Sequence, residues 1–494
     1  MSTSNYKSLF KATGLFGMVE ALRIFLRIGV NKFASTYLGL AGYGIVGLIE
    51  NIAQLISSLT SFGIQFTGVR AIAAQKNSDE VSLHKTIKFV TLFTIASGTL
   101  AAFISVVFAQ QISKYAFKTT DYTIWFVILG VYFVCNSYVQ GKTIILEGLQ
   151  EVRKLLLLNV FVNIFGALVI VVCYYYFYLN GIVAAMVVTS ALNAFIFWRG
   201  TQPYQLIKVT LNKEELQTNL KYFSKSGGLL AINTTIGLAC FFLIRMFFKP
   251  IDNGHVLGYY HTGNTLMVAY VGIVFIAISK FYFPRLSQTL QQKQKEDGSL
   301  LVNNQLELCL LTLMPVLFLL YLIGKSFIEL LFSTAFLPVY EILVFGLAAI
   351  FIKGINYVVG YMILSHNHIK TYFYINALSD VLNVVLTIAF YRWIGLYGIG
   401  LAILVNYSLS ALYTLYYVKK SYDFKMNKQV KNLFMGLTFA NIVVITAYFK
   451  TESLWFYVIT FCVFMIALIY SAVKLDTYLF DGKTSKKIRS FFKK

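Results

Sequence analysis

LLNVFVNIFGALVIVVCYYYFYLNGIVAAMVVTSALNAF, residues 157–195, indicates the fold class of this chain, because its 39 positions contain no charged residue. A helix that crosses a bilayer needs about 20 mostly apolar residues, so this stretch is long enough to cross twice. The dipeptide Asn180-Gly181 in its middle supplies a turn. A similar stretch, YINALSDVLNVVLTIAFYRWIGLYGIGLAILVNYSLSAL at 374–412, turns at Tyr397-Gly398. The two stretches predict a pair of related helical hairpins.

Apolar runs of the same length fill almost the whole chain, of which 58% is hydrophobic and 13% charged. The candidate spans are 10–36, 42–69, 86–110, 122–148, 155–178, 181–199, 224–249, 256–283, 304–332, 337–364, 370–392, 395–418, 430–449 and 453–476. We predict an all-α integral membrane protein with about 14 transmembrane helices. The similar hairpins lie six spans apart, an even number, so the repeats should be parallel.

This repeat predicts two six-helix lobes around a central cavity, followed by two additional C-terminal helices. The predicted boundaries are 1–222 for the N-terminal lobe, 223–420 for the C-terminal lobe, and 421–494 for the two extra spans and a basic cytoplasmic tail. No large soluble domain fits into the gaps between the runs.

The net charge of +22 is the excess of 42 Lys and Arg residues over 20 Asp and Glu residues, and the basic residues lie mostly in alternate gaps between the apolar runs. Loops that stay in the cytoplasm carry this excess of basic residues, so both termini are predicted to be cytoplasmic. The same distribution argues against a nucleic-acid partner, which would need a basic domain or groove-binding element. The five cysteines are far apart within apolar runs, so they predict no metal site, although a bound metal is left open.

Polar and ionisable residues recur at helical spacing within certain spans. Such groups are costly in a membrane, so they usually face a cavity or a partner. The cationic candidates for substrate binding are Arg23, Arg27, Arg245 and Lys353. The candidates for cavity lining or ion coupling are Glu20, Glu50, Gln54, Gln140, Asn356, Asp380 and Asn383. Spans 1, 2, 4, 7, 10 and 11 would then line a wet interior. Most of the Ser, Thr and Asn residues are instead expected to form hydrogen bonds between helices.

An excess of interior cations favours an anionic cargo, because guanidinium groups bind phosphate oxygens through paired hydrogen bonds. Three further motifs carry a resemblance to a known family. They are YLGLAGYG at 37–44, LFSTAFLP at 331–338 and GLYGIGLA at 395–402. In their order and spacing the chain resembles the multidrug/oligosaccharidyl-lipid/polysaccharide exporter superfamily, and within it the Wzx-type O-antigen translocases. Ser333 stands where that family usually has glycine.

The resemblance implies a transporter rather than an enzyme. Its expected cargo is an undecaprenyl-diphosphate-linked oligosaccharide of the O-antigen or polysaccharide type, flipped by alternating access in a bacterial inner membrane. Membrane lipid, a polysaccharide polymerase and a chain-length partner are the expected partners, with a monomeric chain and no cofactor. Two alternatives remain open at this point: a cation-coupled multidrug exporter of the same superfamily, and a membrane-embedded glycan polymerase or ligase.

Overall fold

The computed structural model describes residues 3–76, 80–201, 210–291 and 295–480, and nearly all of these residues are helical. The chain divides into two compact units, Met1–His255 and Val256–Lys494. The predicted basic tail lies beyond residue 480, outside the described residues.

The first unit consists of eight helices. They are α1 (Thr3–Ser61), α2 (Ile64–Gln75), α3 (Glu80–Val107), α4 (Ala109–Phe117), α5 (Thr123–Gly148), α6 (Val152–Phe177), α7 (Gly181–Gly200) and α8 (Lys213–Phe248). Helix α5 packs against α3 and α7, and α1 packs against α6 and α8. The amphipathic start of α8 is fixed by a capping box, in which the Asn212 side chain and Glu215 satisfy each other's backbone N–H groups.

The helical conformation is broken at two places in the region of predicted spans 1 and 2. Gly39, within the YLGLAGYG motif, has φ 70° and ψ −176° and divides α1 into two halves. The sequence predicts a turn there, and one glycine in a conformation that L residues avoid is enough to make it. The second break, Phe62-Gly63, was not predicted: both residues have positive φ, and they separate α1 from α2 inside predicted span 2.

The described residues of the second unit form eight further α-helices, of which the first begins at the unit boundary. They are α9 (His255–Asn264), α10 (Ile273–Gln291), α11 (Lys295–Leu331), α12 (Val339–Ser365), α13 (Ile369–Ile394), α14 (Leu396–Tyr422), α15 (Lys428–Lys450) and α16 (Ser453–Phe480). A π-helical turn, Thr265–Tyr270, separates α9 from α10 within predicted span 8. At the motif where Ser333 replaces glycine, the backbone is extended (φ −163°), so serine fits without strain.

Within the described residues, eleven stretches are long and apolar enough to cross a membrane. Two of them hold two predicted spans each: Leu22–Ser61 contains both halves of α1, and Val152–Gly200 contains α6 and α7. Predicted span 8 corresponds to α9 and α10. The prediction of an all-helical membrane protein with about fourteen spans is therefore confirmed.

The internal repeat is visible in the backbone, at a constant separation of 217 positions. Tyr178 (φ 50°, ψ −123°) ends α6, and Gly395 (φ 62°, ψ −137°) ends α13 in the same way. The turn before each of these helices also corresponds, since Gln150 and Asn367 both have φ 60°. The helices α5, α6 and α7 thus correspond in order to α12, α13 and α14. Each copy of the repeat is one helix longer than the sequence similarity indicates, because α5 and α12 also correspond.

The boundary between the compact units lies after α8, at His255. The boundary predicted from the repeat, between residues 222 and 223, would place the membrane part of α8 in the second lobe. Because α8 packs along α1 and α2, its described residues group with the first unit in this structure. The assignment of lobes by repeat stays a prediction.

Candidate functional site

A cavity of about 370 Å³ lies within the first unit, among α1, α2, α5 and α8. It is lined by Gln54, Ser57, Ser58, Ser61, Gly63, Gln65, Tyr132, Asn136, Gln140, Ala231, Thr234 and Leu238. Amides and hydroxyls dominate this set, and none of its members carries a formal charge at neutral pH. The structure thus brings two of the candidate residues, Gln54 and Gln140, to one cavity.

Helical spacing puts these side chains on common faces. On α5, Tyr132, Asn136 and Gln140 follow one another at intervals of four residues, so their side chains form one stripe. Asn136 and Gln140 stand out in the sequence as polar residues within an apolar span. Tyr132 was not among the candidate residues, although its position one turn before Asn136 on the same stripe would have identified it.

The hydroxyls and the amides of the cavity have different roles. The Oγ of Ser58 and the Oγ1 of Thr235 lie 2.8 Å apart in a hydrogen bond that joins α1 to α8. By contrast, the side-chain amides of Gln54, Asn136 and Gln140 have no hydrogen-bond partner among residues 3–76, 80–201, 210–291 and 295–480. The hydroxyl pair fits the expected helix–helix bonding, whereas the amides are left for a ligand or water.

The break at Phe62-Gly63 borders this cavity and packs directly on α8. A Cβ atom on Gly63 would lie 2.6 Å from the carbonyl oxygen of Gly227, and a Cβ on Gly227 would lie 2.9 Å from that of Phe62. Real Cβ atoms do not approach oxygen this closely. The two glycines therefore let α1 and α8 meet backbone to backbone beside the cavity.

Glu50 lies on α1 one turn before Gln54 and is half-buried. It is within electrostatic reach of Tyr132, which lines the cavity, and of Tyr174 on α6. Glu50 is thus a neighbour of the cavity rather than one of its lining residues. Glu20 belongs to the helical part of α1, but its side chain lies outside the described residues.

The structure separates the predicted cations instead of gathering them. Arg23 and Arg27 are both exposed on the first half of α1. Arg245 on α8 is only 6% exposed, and its Nη1 donates a hydrogen bond to the backbone carbonyl of Gly47. None of the three is among the residues that line the described cavity.

The fourth cation, Lys353, belongs to the second unit. Its Nζ lies 5.4 Å from the ring centre of Tyr407 and 5.9 Å from that of Phe275, both within cation–π range. It is also within electrostatic reach of Asp380 on α13. Next to it, Asn356 donates a hydrogen bond of 3.0 Å from its Nδ2 to the Tyr407 carbonyl.

Asn383 lies on α13 almost one turn after Asp380. Its amide oxygen is buried and accepts no hydrogen bond from the described residues. The same described residues contain no group of three or more His, Cys, Asp or Glu side chains that could hold a metal ion.

The repeat relates the two polar regions position by position. Asn136 on α5 corresponds to Lys353 on α12, and Gln140 corresponds to Tyr357, at the separation of 217 residues established above. Equivalent helices thus present uncharged amides in the first unit and an ammonium group in the second.

Comparison with known proteins agrees with this architecture. The polysaccharide biosynthesis protein family matches residues 37–341, which is more than half of the chain. The chain belongs to this family. The lipid II flippase MurJ family also matches residues 228–470. The multidrug/oligosaccharidyl-lipid/polysaccharide exporter superfamily expected from the sequence is thereby confirmed.

Curated relatives and solved structures resemble this chain over most of its length. The lipid III flippase of Escherichia coli (strain K12) is 23% identical over 398 residues, which cover 78% of this chain and 91% of that protein. The inward closed conformation of the lipid II flippase MurJ matches with a TM-score of 0.68 and 15% identity, covering 94% of this chain and 99% of that one.

An inward-facing multidrug resistance MATE family transporter is also similar in fold. Its TM-score is 0.66 at 10% identity, over 81% of this chain and 95% of that one. These relatives are named as flippases and transporters, not as catalysts, in line with the expectation that the chain is a transporter.

Proposed function

We propose that this chain is a flippase that moves an undecaprenyl-diphosphate-linked oligosaccharide across a bacterial inner membrane. The observation that carries the proposal is the polar cavity of the first unit, which is bordered by α1, α5 and α8, three helices that are long and apolar enough to cross a membrane. A hydrophilic glycan cannot cross hydrocarbon unaided, because each unsatisfied polar group costs several kcal/mol there. A cavity lined with hydrogen-bonding groups offsets that cost, and the similarity to a lipid III flippase supports a lipid-linked cargo.

The cargo is an O-antigen or related polysaccharide repeat unit, transferred from the cytoplasmic to the periplasmic leaflet by alternating access. Both termini would be cytoplasmic, as the Lys and Arg residues in alternate gaps suggest. A monomeric flippase would deliver its cargo to a polysaccharide polymerase and its chain-length partner.

Arginine side chains suit the diphosphate head of such a lipid. Arg23 and Arg27 are both exposed on α1, so they can meet the head directly. Arg245 and Lys353 are the other two cations that we propose for substrate binding. Glu50 and Asp380 are the acidic residues proposed for coupling to a cation. Membrane potential would add about 2.3 kcal/mol for each charge moved across 100 mV.

The residue roles are tested in a host strain that depends on this chain for surface glycan. Replacing Arg23 and Arg27 by Gln should abolish surface glycan while leaving the amount of folded protein unchanged, because both side chains are exposed. Arg199→Gln, at an exposed cation on α7, is the matched control and should display glycan normally. Normal display by the Arg23/Arg27 double variant would contradict the diphosphate role.

A cation-coupled drug exporter is the second candidate, favoured by the likeness to MATE transporter structures and by Asp380 within α13. Cationic drugs prefer acidic and apolar cavities, whereas the cavity of the first unit is lined by amides and hydroxyls. Resistance to cationic drugs that disappears with the gene, together with an unaltered surface glycan, would favour this candidate over the flippase. Lengthened or transferred glycan in reconstituted vesicles would instead favour a polymerase or ligase.

A further inference from the structure

We infer that the cavity of the first unit is a subsite for uncharged sugars, and that Gln54, Asn136 and Gln140 make this chain selective for a neutral glycan. The inference rests on the proposed flippase function and adds the chemical class of sugar that this site accepts. It assigns the sugar and the diphosphate of the cargo to different residues.

The side chains that line the cavity match the chemistry of a neutral sugar. A carboxamide offers two N–H donors and an acceptor oxygen, which match the mixed donor and acceptor pattern of sugar hydroxyls and acetamido groups. The amides of Gln54, Asn136 and Gln140 have no hydrogen-bond partner within the described part of the chain, so they are available to a ligand. Tyr132, half-buried on the same stripe of α5, contributes an aromatic ring to the wall.

The size of the cavity also fits a sugar. A cavity of about 370 Å³ lies at the lower end of the range for small-molecule sites, which is about 300–1,000 Å³. That space suits a short stretch of glycan rather than a whole polymer, and the apolar Ala231 and Leu238 can cover the nonpolar faces of sugar rings.

The charge of the lining favours a neutral sugar as well. No cation is among the twelve lining residues, and the carboxyl group nearest in the sequence is that of Glu50, one turn before Gln54 on α1. Burying a carboxylate sugar here would leave its charge without a counter-ion beside a carboxylate of the protein, which is strongly unfavourable. A neutral sugar meets no such penalty.

The repeat supplies an internal comparison. Lys353 occupies in α12 the position that Asn136 occupies in α5, and there it lies against two aromatic rings and within reach of Asp380. The chain therefore has a cation at one of the two equivalent positions and an amide at the other. We assign anion binding to Lys353 and sugar binding to Asn136.

The test uses the full chain in sealed proteoliposomes with two lipid probes. One is undecaprenyl diphosphate bearing an N-acetylhexosamine–hexose disaccharide, and the other bears the same disaccharide with a hexuronic acid in place of the hexose. Oxidation by periodate added outside the vesicles measures how much glycan has crossed. We expect wild-type protein to move the neutral probe at least about tenfold faster, equivalent to 1.4 kcal/mol of discrimination.

Variants then locate the selectivity. The double variant Asn136→Leu/Gln140→Leu should move the neutral probe across the membrane about tenfold more slowly than wild-type protein, as expected for the loss of hydrogen bonds to a buried ligand. Asn136→Lys, which copies the residue of the equivalent position, should shift the preference toward the acidic probe. Gln111→Leu, at an exposed amide on α4 outside the cavity, is the matched control and should change neither rate.

The outcomes separate this inference from the proposed function. Equal rates for the two probes, with the Asn136 and Gln140 variants behaving like Gln111→Leu, would overturn the sugar subsite while leaving flipping established. Movement of neither probe above protein-free vesicles would contradict the flippase function itself, and the subsite would fall with it.

Discussion

Arg245 shows how far the chemistry of one residue can be predicted from sequence. Its position in an apolar span predicts that its charge needs compensation, because an uncompensated buried cation is costly. The structure supplies part of that compensation from the backbone carbonyl of Gly47, which is distant in sequence. Backbone acceptors are present at every residue, so a sequence pattern cannot indicate which one will be used.

Arg245→Ala should therefore destabilise the folded protein by about 2 kcal/mol, the usual cost of losing a charge-assisted hydrogen bond within a buried site. The Tm of the purified variant in detergent measures this effect. Arg27→Ala is the control, since Arg27 is exposed on α1 and its loss should leave the Tm unchanged. A wild-type Tm for Arg245→Ala would show that the contact to α1 contributes nothing to stability.

A second contact at the residue scale joins α3 to the start of α8. The Nζ of Lys85 donates a hydrogen bond of 2.5 Å to Oε1 of Glu215. Together with the backbone N–H of Asn212, this bond lowers the pKa of Glu215 below its ordinary value of 4.5. Because the pKa is lowered in the folded protein, the stabilisation is fully present above 4.5 and is lost as the pH falls through the folded-state value.

We expect the Tm of wild-type protein to fall more between pH 7 and pH 3 than that of Glu215→Gln, which has no carboxylate to protonate. The difference should be small, since both side chains are about one-third exposed and such pairs contribute little. If the Tm of the two proteins depended on pH in the same way, the Lys85–Glu215 bond would not contribute to stability.

At the scale of elements, the hairpins α6–α7 and α13–α14 were predictable because their apolar runs, turns and glycines correspond in order. The backbone path of the turns before these hairpins could not be predicted, since Gln150-Glu151 and Asn367-His368 have different side chains and yet follow the same path. Several sequences can adopt one turn, so similarity of side chains underestimates the length of a structural repeat. The break at Phe62-Gly63 was hidden for a different reason: it lies inside a single predicted span, 42–69.

Gly181 and Gly398 make the same close approach in the two hairpins. A Cβ on Gly181 would lie 2.3 Å from the Cys173 carbonyl oxygen, and one on Gly398 would lie 2.0 Å from that of Phe390. Alanine at either position should destabilise the protein by about 1–3 kcal/mol through overpacking, seen as a lower Tm.

Gly166 provides the matched control within α6, because a Cβ there meets nothing within 4 Å. Gly166→Ala should be neutral or stabilising, with a gain of up to about 1 kcal/mol in helix propensity. Equal effects of alanine at Gly166, Gly181 and Gly398 would contradict a repeat held together by close packing at its turns.

At the scale of the whole molecule, hydrophobicity and length were enough to predict a helical membrane protein with about fourteen spans. The sequence also indicated which spans would carry polar residues, and Gln54 and Gln140 do meet in one cavity. It did not indicate that this cavity would be uncharged. The cations were identified by residue type alone, whereas their positions depend on how each helix is rotated in the bundle. That rotation is set by tertiary packing, including the glycine contacts beside the cavity.

Transport of a lipid-linked oligosaccharide in a purified system is the most direct test of the proposed function. The full chain is reconstituted into sealed vesicles with a radiolabelled undecaprenyl-diphosphate-linked repeat unit from its own host, and the glycan exposed outside is followed with time. We expect the protein to accelerate exposure of the intact unit at least about tenfold over protein-free vesicles, with no change in glycan length. Exposure at the protein-free rate, by protein whose Tm shows it to be folded, would contradict the flippase function.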